Sequence, residues 1–164
     1  MIFLTVGTWR RGFNRLIKAV DELVGSRFIK EPVIAQTGYS SYKPKHFKVM
    51  DFCSPDEFTD IILKAEIIIS HAGVGTIGQA ICRGKPVVVV PRKVSMGEVD
   101  NDHQFTTARI LEREGKILVA YEVSELEEKL EEAKTFLPKK NEGFEMIVKT
   151  VKEFIDGLDT KKCG

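Results

Sequence analysis

The chain has few of the features that settle a protein's class at a glance. Its 164 residues include only three cysteines, Cys53, Cys82 and Cys163, and a single tryptophan, Trp9. An odd number of widely separated thiols excludes a disulfide framework and offers no zinc-ligand spacing; His46 and His103 add none. Two packed thiols and one in the tail are expected, in a reducing cytoplasm. No apolar run approaches the roughly 20 residues that span a bilayer. Met1 to Val6 reads as a short strand, without the basic segment or cleavage site of a signal peptide. Charge of one sign is also missing: 25 Lys and Arg face 24 Asp and Glu, for a formal net charge of +1. That balance gives no global attraction to nucleic acid. Repeats, low-complexity tracts and internal boundaries are absent, so one domain with a real core is expected over 1–158, followed by a flexible polar tail over 159–164.

What the chain does contain is alternation. Short apolar runs near 2–6, 33–37, 47–52, 66–70, 86–90 and 116–119 predict strands. Between them, helical patterns fall at 12–24, 55–64, 75–83, 103–113 and 123–135. A last helix over 142–157 carries Phe144, Ile147, Val148, Val151, Phe154 and Ile155 as an apolar stripe at helical period. Strand–helix alternation argues for parallel βαβ units. The fold class is therefore α/β: a single Rossmann-like domain whose parallel sheet of about six strands is flanked by helices.

In such sheets ligands bind beyond the carboxyl ends of the strands. Gly7-Thr8, Gln36-Thr37-Gly38, Phe52-Cys53, His71 to Thr76 and Pro91 to Gln104 all follow strands. The segment Ile67-Ile68-Ile69-Ser70-His71-Ala72-Gly73-Val74-Gly75-Thr76 is the most informative. An apolar strand running through small residues into a helix start makes a phosphate cradle, because backbone N–H groups can approach an anion at a positive helix end. Asn101-Asp102-His103-Gln104 offers the mixed donors and acceptors that a sugar needs. Gly73-x-Gly75-x-x-Gly78 also matches the dinucleotide fingerprint, but it sits mid-chain, and the next strand leads to Pro91-Arg92-Lys93 instead of ending in an acid. A 2′-phosphate of NADP could use Arg92, so an NADP-binding protein stays open as an alternative.

The longer pattern is more specific. His71-x-Gly73-x-x-Thr76-x-x-Gln79, then Gly84-x-Pro86, Pro91 and Asp102-His103-Gln104, resembles the donor-binding, C-terminal half of inverting GT-B glycosyltransferases, glycosyltransferase family 28. Within it the chain is most similar to stand-alone subunits of split enzymes. These are the cytosolic catalytic subunit of the dolichol-linked UDP-GlcNAc transferase and the small subunit of bacterial exopolysaccharide glycosyltransferases. The resemblance implies that Gly7, Thr8 and Gly12 lie near a diphosphate. His71, Gly73 and Gly75 would contact phosphate, and Thr76 would cap the following helix while donating to an oxygen. Backbone at Phe52 and Cys53 would hold the uracil edge. Asn101, Asp102 and Gln104 would address sugar hydroxyls, with His71, Asn101 and Gln104 positioning the donor for catalysis. One position departs from the family: Gln79 stands where a glutamate usually accepts bonds from both ribose hydroxyls, and an amide accepts one bond and donates another.

The same resemblance implies a UDP-sugar donor, GlcNAc foremost, and neither metal nor cofactor; Asp100-Asn101-Asp102 is read as a turn. No base for the acceptor hydroxyl is found, and in two-domain relatives it belongs to the other half. A membrane-associated subunit holding a lipid-linked acceptor is therefore implied as partner, docked through the helix Phe144 to Ile155 and recruiting this cytoplasmic chain to the membrane. Self-association of the isolated chain is a further expectation. Several residues carry two readings: Trp9 covers a ligand or fills the helix–sheet layer, Glu98 is a site residue or a loop charge, and Arg10 and Arg11 approach phosphate or are solvated. A non-catalytic nucleotide-binding module, with Gln79 marking lost donor chemistry, is the remaining alternative.

Overall fold

The computed structural model describes residues 1–139. Six parallel strands, β1 (Ile2–Thr5), β2 (Val33–Gln36), β3 (Lys48–Met50), β4 (Ile67–Ser70), β5 (Val87–Val89) and β6 (Leu118–Val119), form one sheet in the order β3-β2-β1-β4-β5-β6. Between and after them run α1 (Asn14–Gly25), α2 (Pro55–Lys64), α3 (Val74–Cys82), α4 (His103–Arg113) and α5 (Leu126–Ala133). The elements agree with expectation in number, type and order. The strands are shorter at their ends, α1 begins two residues later than expected, and Val123–Glu125 is a 3₁₀ turn ahead of α5. The expected helix over 142–157 and the tail with Cys163 lie outside the described residues.

Side chains of a strand alternate between faces, and this alternation splits the core in two. Leu4, Ile69, Val88 and Leu118 pack with Leu16, Ile17 and Val20 of α1 and with Leu126 and Leu130 of α5. Phe3, Ile68, Val87, Val89 and Val119 pack on the other face against Ile62 of α2, Ile77, Ala80 and Ile81 of α3, and Ala108 of α4. The central strands β1 and β4 are register partners, Thr5 beside Ser70, and are buried along their whole length. The chain leaves β1 toward one face and β4 toward the opposite one. A crevice must open between those exits.

The helix ends differ in a way that bears on the site. Helix α2 has a complete capping box, with Ser54 accepting from the Glu57 amide and Glu57 accepting from that of Ser54, plus Pro55 and Asp56 in its first turn. Helices α1, α3 and α4 have neither a side-chain cap from their N-cap residue nor an acidic residue in the first turn. For Ser54→Ala we expect a loss of about 1 kcal/mol, read as a fall of about 4 °C in melting temperature. One thiol departs from expectation: Cys82 ends α3 on the solvent side and is exposed, while Cys53 is half-buried.

Candidate functional site

Two open cavities meet at the carboxyl ends of β1 and β4. The first, about 400 Å³, is lined by Thr5, Gly7, Thr8, Gln36, Cys53, Pro55, Phe58, His71, Gly73, Gly75, Thr76 and Gln79. The second, about 420 Å³, is lined by Thr8, Trp9, His71, Val99, Asp100, Asn101, His103 and Gln104. Thr8 and His71 line both, so the two are halves of one trough with the imidazole at its waist.

His71 is held there by glycines. An alanine Cβ at Gly7 would come within 2.5 Å of His71 Cε1, and one at Gly73 within 2.7 Å of the same atom and closer still to Nε2. The ring therefore lies between two backbone segments that can approach it only because neither has a side chain. Gly7 also has φ +73°, a left-handed conformation that suits glycine. Ser70 Oγ lies 3.4 Å from His71 Nδ1. Burial pushes the imidazole pKa down to about 4, the Arg92 charge adds to the fall, and a backbone hydrogen bond with Thr5 opposes it. His71 is thus neutral at physiological pH, able to donate one hydrogen bond but not to act as a cation.

Positive potential comes instead from the backbone. Gly73 is the N-cap of α3, and the first intrahelical bond runs from Ile77 N to Gly73 O. The amides of Val74, Gly75 and Thr76 precede that bond and have no partner within the helix. With no acid in the first turn, this end of α3 presents partial positive charge to the first cavity.

The second cavity is furnished with tethered amides. The Gln104 Oε1 accepts from the Arg92 backbone N–H at 3.1 Å, and the Asn101 Oδ1 from that of His103 at 3.2 Å. Each side-chain oxygen is thereby tethered through one accepted bond, and each NH₂ group remains as a donor without a protein partner among the described residues. Asp100, on the same wall, is paired with Arg11 at 2.5 Å.

Of the residues expected to bind ligand, Gly7, Thr8, Cys53, His71, Gly73, Gly75, Thr76, Gln79, Asn101 and Gln104 line the trough. Three do not. Phe52 is exposed and packs edge-on against Tyr39 at 5.2 Å, because the residue after it, Cys53, takes the inward position. Asp102 starts α4 with its carbonyl, accepting from Phe105 and Thr106, and leaves its carboxylate in solvent. Gly12 packs against Ser40 and gives its carbonyl to Arg92. Thr5, Pro55, Phe58 and Val99 line the trough and were not foreseen; no local motif marks a residue brought in by tertiary packing. Trp9 is half-exposed on the second cavity, not in the helix–sheet layer. Glu98 is a buried partner of Arg15, at 3.0 Å. Arg92 is fully buried with its guanidinium on four backbone carbonyls, so it cannot serve a 2′-phosphate as the NADP alternative requires.

A parallel sheet with a bipartite trough at its switch point defines a doubly wound α/β domain with an open site at the carboxyl ends of its strands. The model of the glycosyltransferase family 28 C-terminal domain matches residues 1–160, and the chain belongs to that family. It is 32% identical over 125 residues to the UDP-N-acetylglucosamine transferase subunit ALG13 of Homo sapiens, covering 71% of this chain and 10% of that protein. It is 28% identical over 152 residues to the UDP-N-acetylglucosamine--N-acetylmuramyl-(pentapeptide) pyrophosphoryl-undecaprenol N-acetylglucosamine transferase of Prochlorococcus marinus, covering 88% of this chain and 40% of the relative. The chain thus spans about a tenth of the human relative's length and two-fifths of the cyanobacterial one. The solution structure of ALG13 shares the fold at TM-score 0.55 and 20% identity, over 85% of this chain and 87% of that one. A solved glycosyltransferase aligns over 82% of this chain at TM-score 0.61 and 17% identity, but the chain covers only 34% of it. Among the described residues no helix is long and apolar enough to cross a membrane, and no group of three His, Cys, Asp or Glu side chains is placed to hold a metal.

Proposed function

We propose that this chain is the donor-binding catalytic subunit of a split inverting glycosyltransferase, transferring a sugar, GlcNAc foremost, from a UDP-sugar to a lipid-linked acceptor. The observation that carries this reading is the bipartite trough: an uncapped helix end in one half, two tethered amides in the other, and neutral His71 between them. Uracil and ribose occupy the half lined by Cys53 and Gln79, the diphosphate lies at the α3 terminus, and the sugar enters the half lined by Asn101 and Gln104. The relatives support the assignment, since their names specify UDP-N-acetylglucosamine transfer and, in the cyanobacterial case, a pyrophosphoryl-undecaprenol acceptor.

In the reaction the acceptor hydroxyl attacks the anomeric carbon opposite the departing diphosphate. The bond from that carbon to the phosphate oxygen breaks, and negative charge collects on UDP. Backbone donors of Val74, Gly75 and Thr76 stabilise that charge, in place of a metal. A base must take the acceptor proton, and the trough lacks one. His71 is too weak a base, Asp100 is paired with Arg11, and no described residue orients the His103 ring. The base, with the acceptor site, is assigned to a membrane-associated partner subunit, docked through Phe144 to Ile155, that brings this chain to the cytoplasmic face.

Ligand-observed NMR with UDP-GlcNAc, UDP-glucose, UDP, GDP-mannose and NADP tests the donor. Saturation transfer to uracil and sugar protons of one UDP-sugar is the expected result; NADP binding in its place would refute the reading. In Gln104→Ala the gain in affinity of UDP-sugar over UDP should fall by about 3- to 10-fold, the worth of one or two hydrogen bonds, with UDP binding retained. Equal loss of UDP, or no loss, would remove Gln104 from the sugar site. Wild-type affinity indifferent to the sugar would favour the regulatory module suggested by Gln79.

A further inference from the structure

We propose that Arg92 is a positioning residue that couples the loop carrying Thr8 and Trp9 to the loop carrying Asn101 and Gln104, so that the two walls of the sugar half of the trough assemble together. The proposal rests on the donor-site reading and extends it to a side chain that touches no ligand.

Arg92 is the largest fully buried side chain in the described structure. A buried guanidinium ordinarily has a carboxylate partner, but here Glu98 gives its carboxylate to Arg15 Nε and Nη2, both at 3.0 Å, and to the Lys93 amide. Carbonyl dipoles hold the Arg92 cation instead. Nη1 donates to Arg11 O at 3.0 Å, Gly12 O at 3.0 Å and Glu98 O at 3.2 Å, and Nη2 to Val6 O at 2.9 Å. The Phe13 ring lies 4.7 Å below the guanidinium.

These acceptors belong to two segments. Val6, Arg11 and Gly12 flank Gly7 and Thr8, whereas Glu98 belongs to the loop that continues to Val99, Asn101 and Gln104. The Arg92 backbone N–H completes the connection by holding Gln104 Oε1. Displacing either segment withdraws carbonyls from a fully buried cation, which is unfavourable because the charge then loses the dipoles that solvate it. Each loop is therefore stable in its ligand-ready position only while the other is in place. Two outer ties run in parallel, Arg15 to Glu98 and Pro91 O, and Arg11 to Asp100. The Arg92 fork leaves Nε buried without a partner among the described residues.

Arg92→Lys tests the proposal, because an ammonium keeps the charge but its shorter stem and three N–H groups cannot serve all four carbonyls that the planar fork holds. Amide hydrogen exchange should accelerate together over Gly7–Phe13 and Lys93–Gln104 and stay unchanged at Gly73–Thr76. The preference for UDP-sugar over UDP should fall about tenfold while UDP binding holds within about twofold. Ser54→Ala, which costs stability elsewhere, should leave these two loops unchanged and controls for general destabilisation. Arg15→Gln, a milder cut in the same bridge, should accelerate exchange in both loops in the same direction if Arg92→Lys does not fold. Exchange confined to one loop, or a shift shared equally with the Ser54 control, would reduce Arg92 to a core staple. Failure of wild-type protein to bind any UDP-sugar would overturn the donor reading, whereas the exchange measurement would still decide the coupling.

Discussion

Gly73→Ala is expected to lose UDP binding and about 1–3 kcal/mol of stability, the cost of forcing an extra methyl into a packed site. The backbone at Gly73 is unremarkable, with φ −84° and ψ 119°, so the demand for glycine comes entirely from the His71 ring. An alanine methyl there overlaps the imidazole, and either the ring or the α3 terminus must move. Either movement spoils the anion site. Gly7→Ala should be worse, because the same ring is approached from the other side and φ +73° adds strain of about 1–2 kcal/mol. The steric cause can be isolated with the double variant His71→Ala/Gly73→Ala, which should recover most of the stability lost in Gly73→Ala without recovering full affinity. If the double variant is no more stable than Gly73→Ala, the contact with His71 is not the reason for the glycine. Gly75→Ala provides the contrast: its Cβ would meet nothing within 4 Å, so the fold should tolerate it while ligand affinity falls. Urea unfolding and UDP titration of the four variants would check the whole set.

Acid should destabilise this protein before its carboxylates titrate. In the unfolded chain His71 takes up a proton near the ordinary value of 6.5, whereas in the folded chain it does so only near 4. Between those values the unfolded state binds more protons, so stability is fully present above pH 6.5 and declines as pH falls toward 4. A difference of this size corresponds to about 3 kcal/mol at most. Asp21 acts in a lower window. Burial raises its pKa, but bonds from the Lys45 amide, the Tyr42 hydroxyl, and the amide and ring of His46 outweigh that and hold it below the ordinary 3.8. Its contribution is present above 3.8 and is lost only at stronger acid. Urea midpoints measured from pH 7.5 to 4.5 should therefore fall through the histidine window, and His71→Gln should flatten that slope. An unchanged slope in the variant would mean that the folded imidazole titrates normally.

The fold was largely legible because the signals that specify it are local. Apolar runs such as Ile67 to Ser70 and Val87 to Val90, separated by helical stripes, dictate parallel βαβ units whatever the rest of the chain does. The turn that opens α3 was legible for the same reason, since strand, small residues and helix start are contiguous from Ile67 to Thr76. Cys53, Gln79, Asn101 and Gln104 could be placed on the trough through family resemblance joined to their position after strands.

Other features depended on contacts between distant segments. That Gly7 and Gly73 serve one imidazole needs residues far apart in the sequence to be brought side by side, which happens because β1 and β4 are neighbouring register partners. Arg92 stood as a candidate for the 2′-phosphate of NADP, because nothing nearby in the chain announces the carbonyls of Val6, Arg11 and Gly12 that surround it. Phe52 and Cys53 are neighbours in sequence, yet only the tertiary structure shows that Cys53 lines the trough while Phe52 lies exposed beside Tyr39. By itself, then, the sequence determined the class of the domain, its element order and the small-residue turn into α3, since each is encoded by periodicity and composition over a dozen residues. Only the tertiary structure decided that His71 is neutral, that the Gln104 and Asn101 amides present their NH₂ groups, and that a buried arginine joins the two loops. Burial, hydrogen-bond partners and steric contact are properties of atoms brought together across the chain.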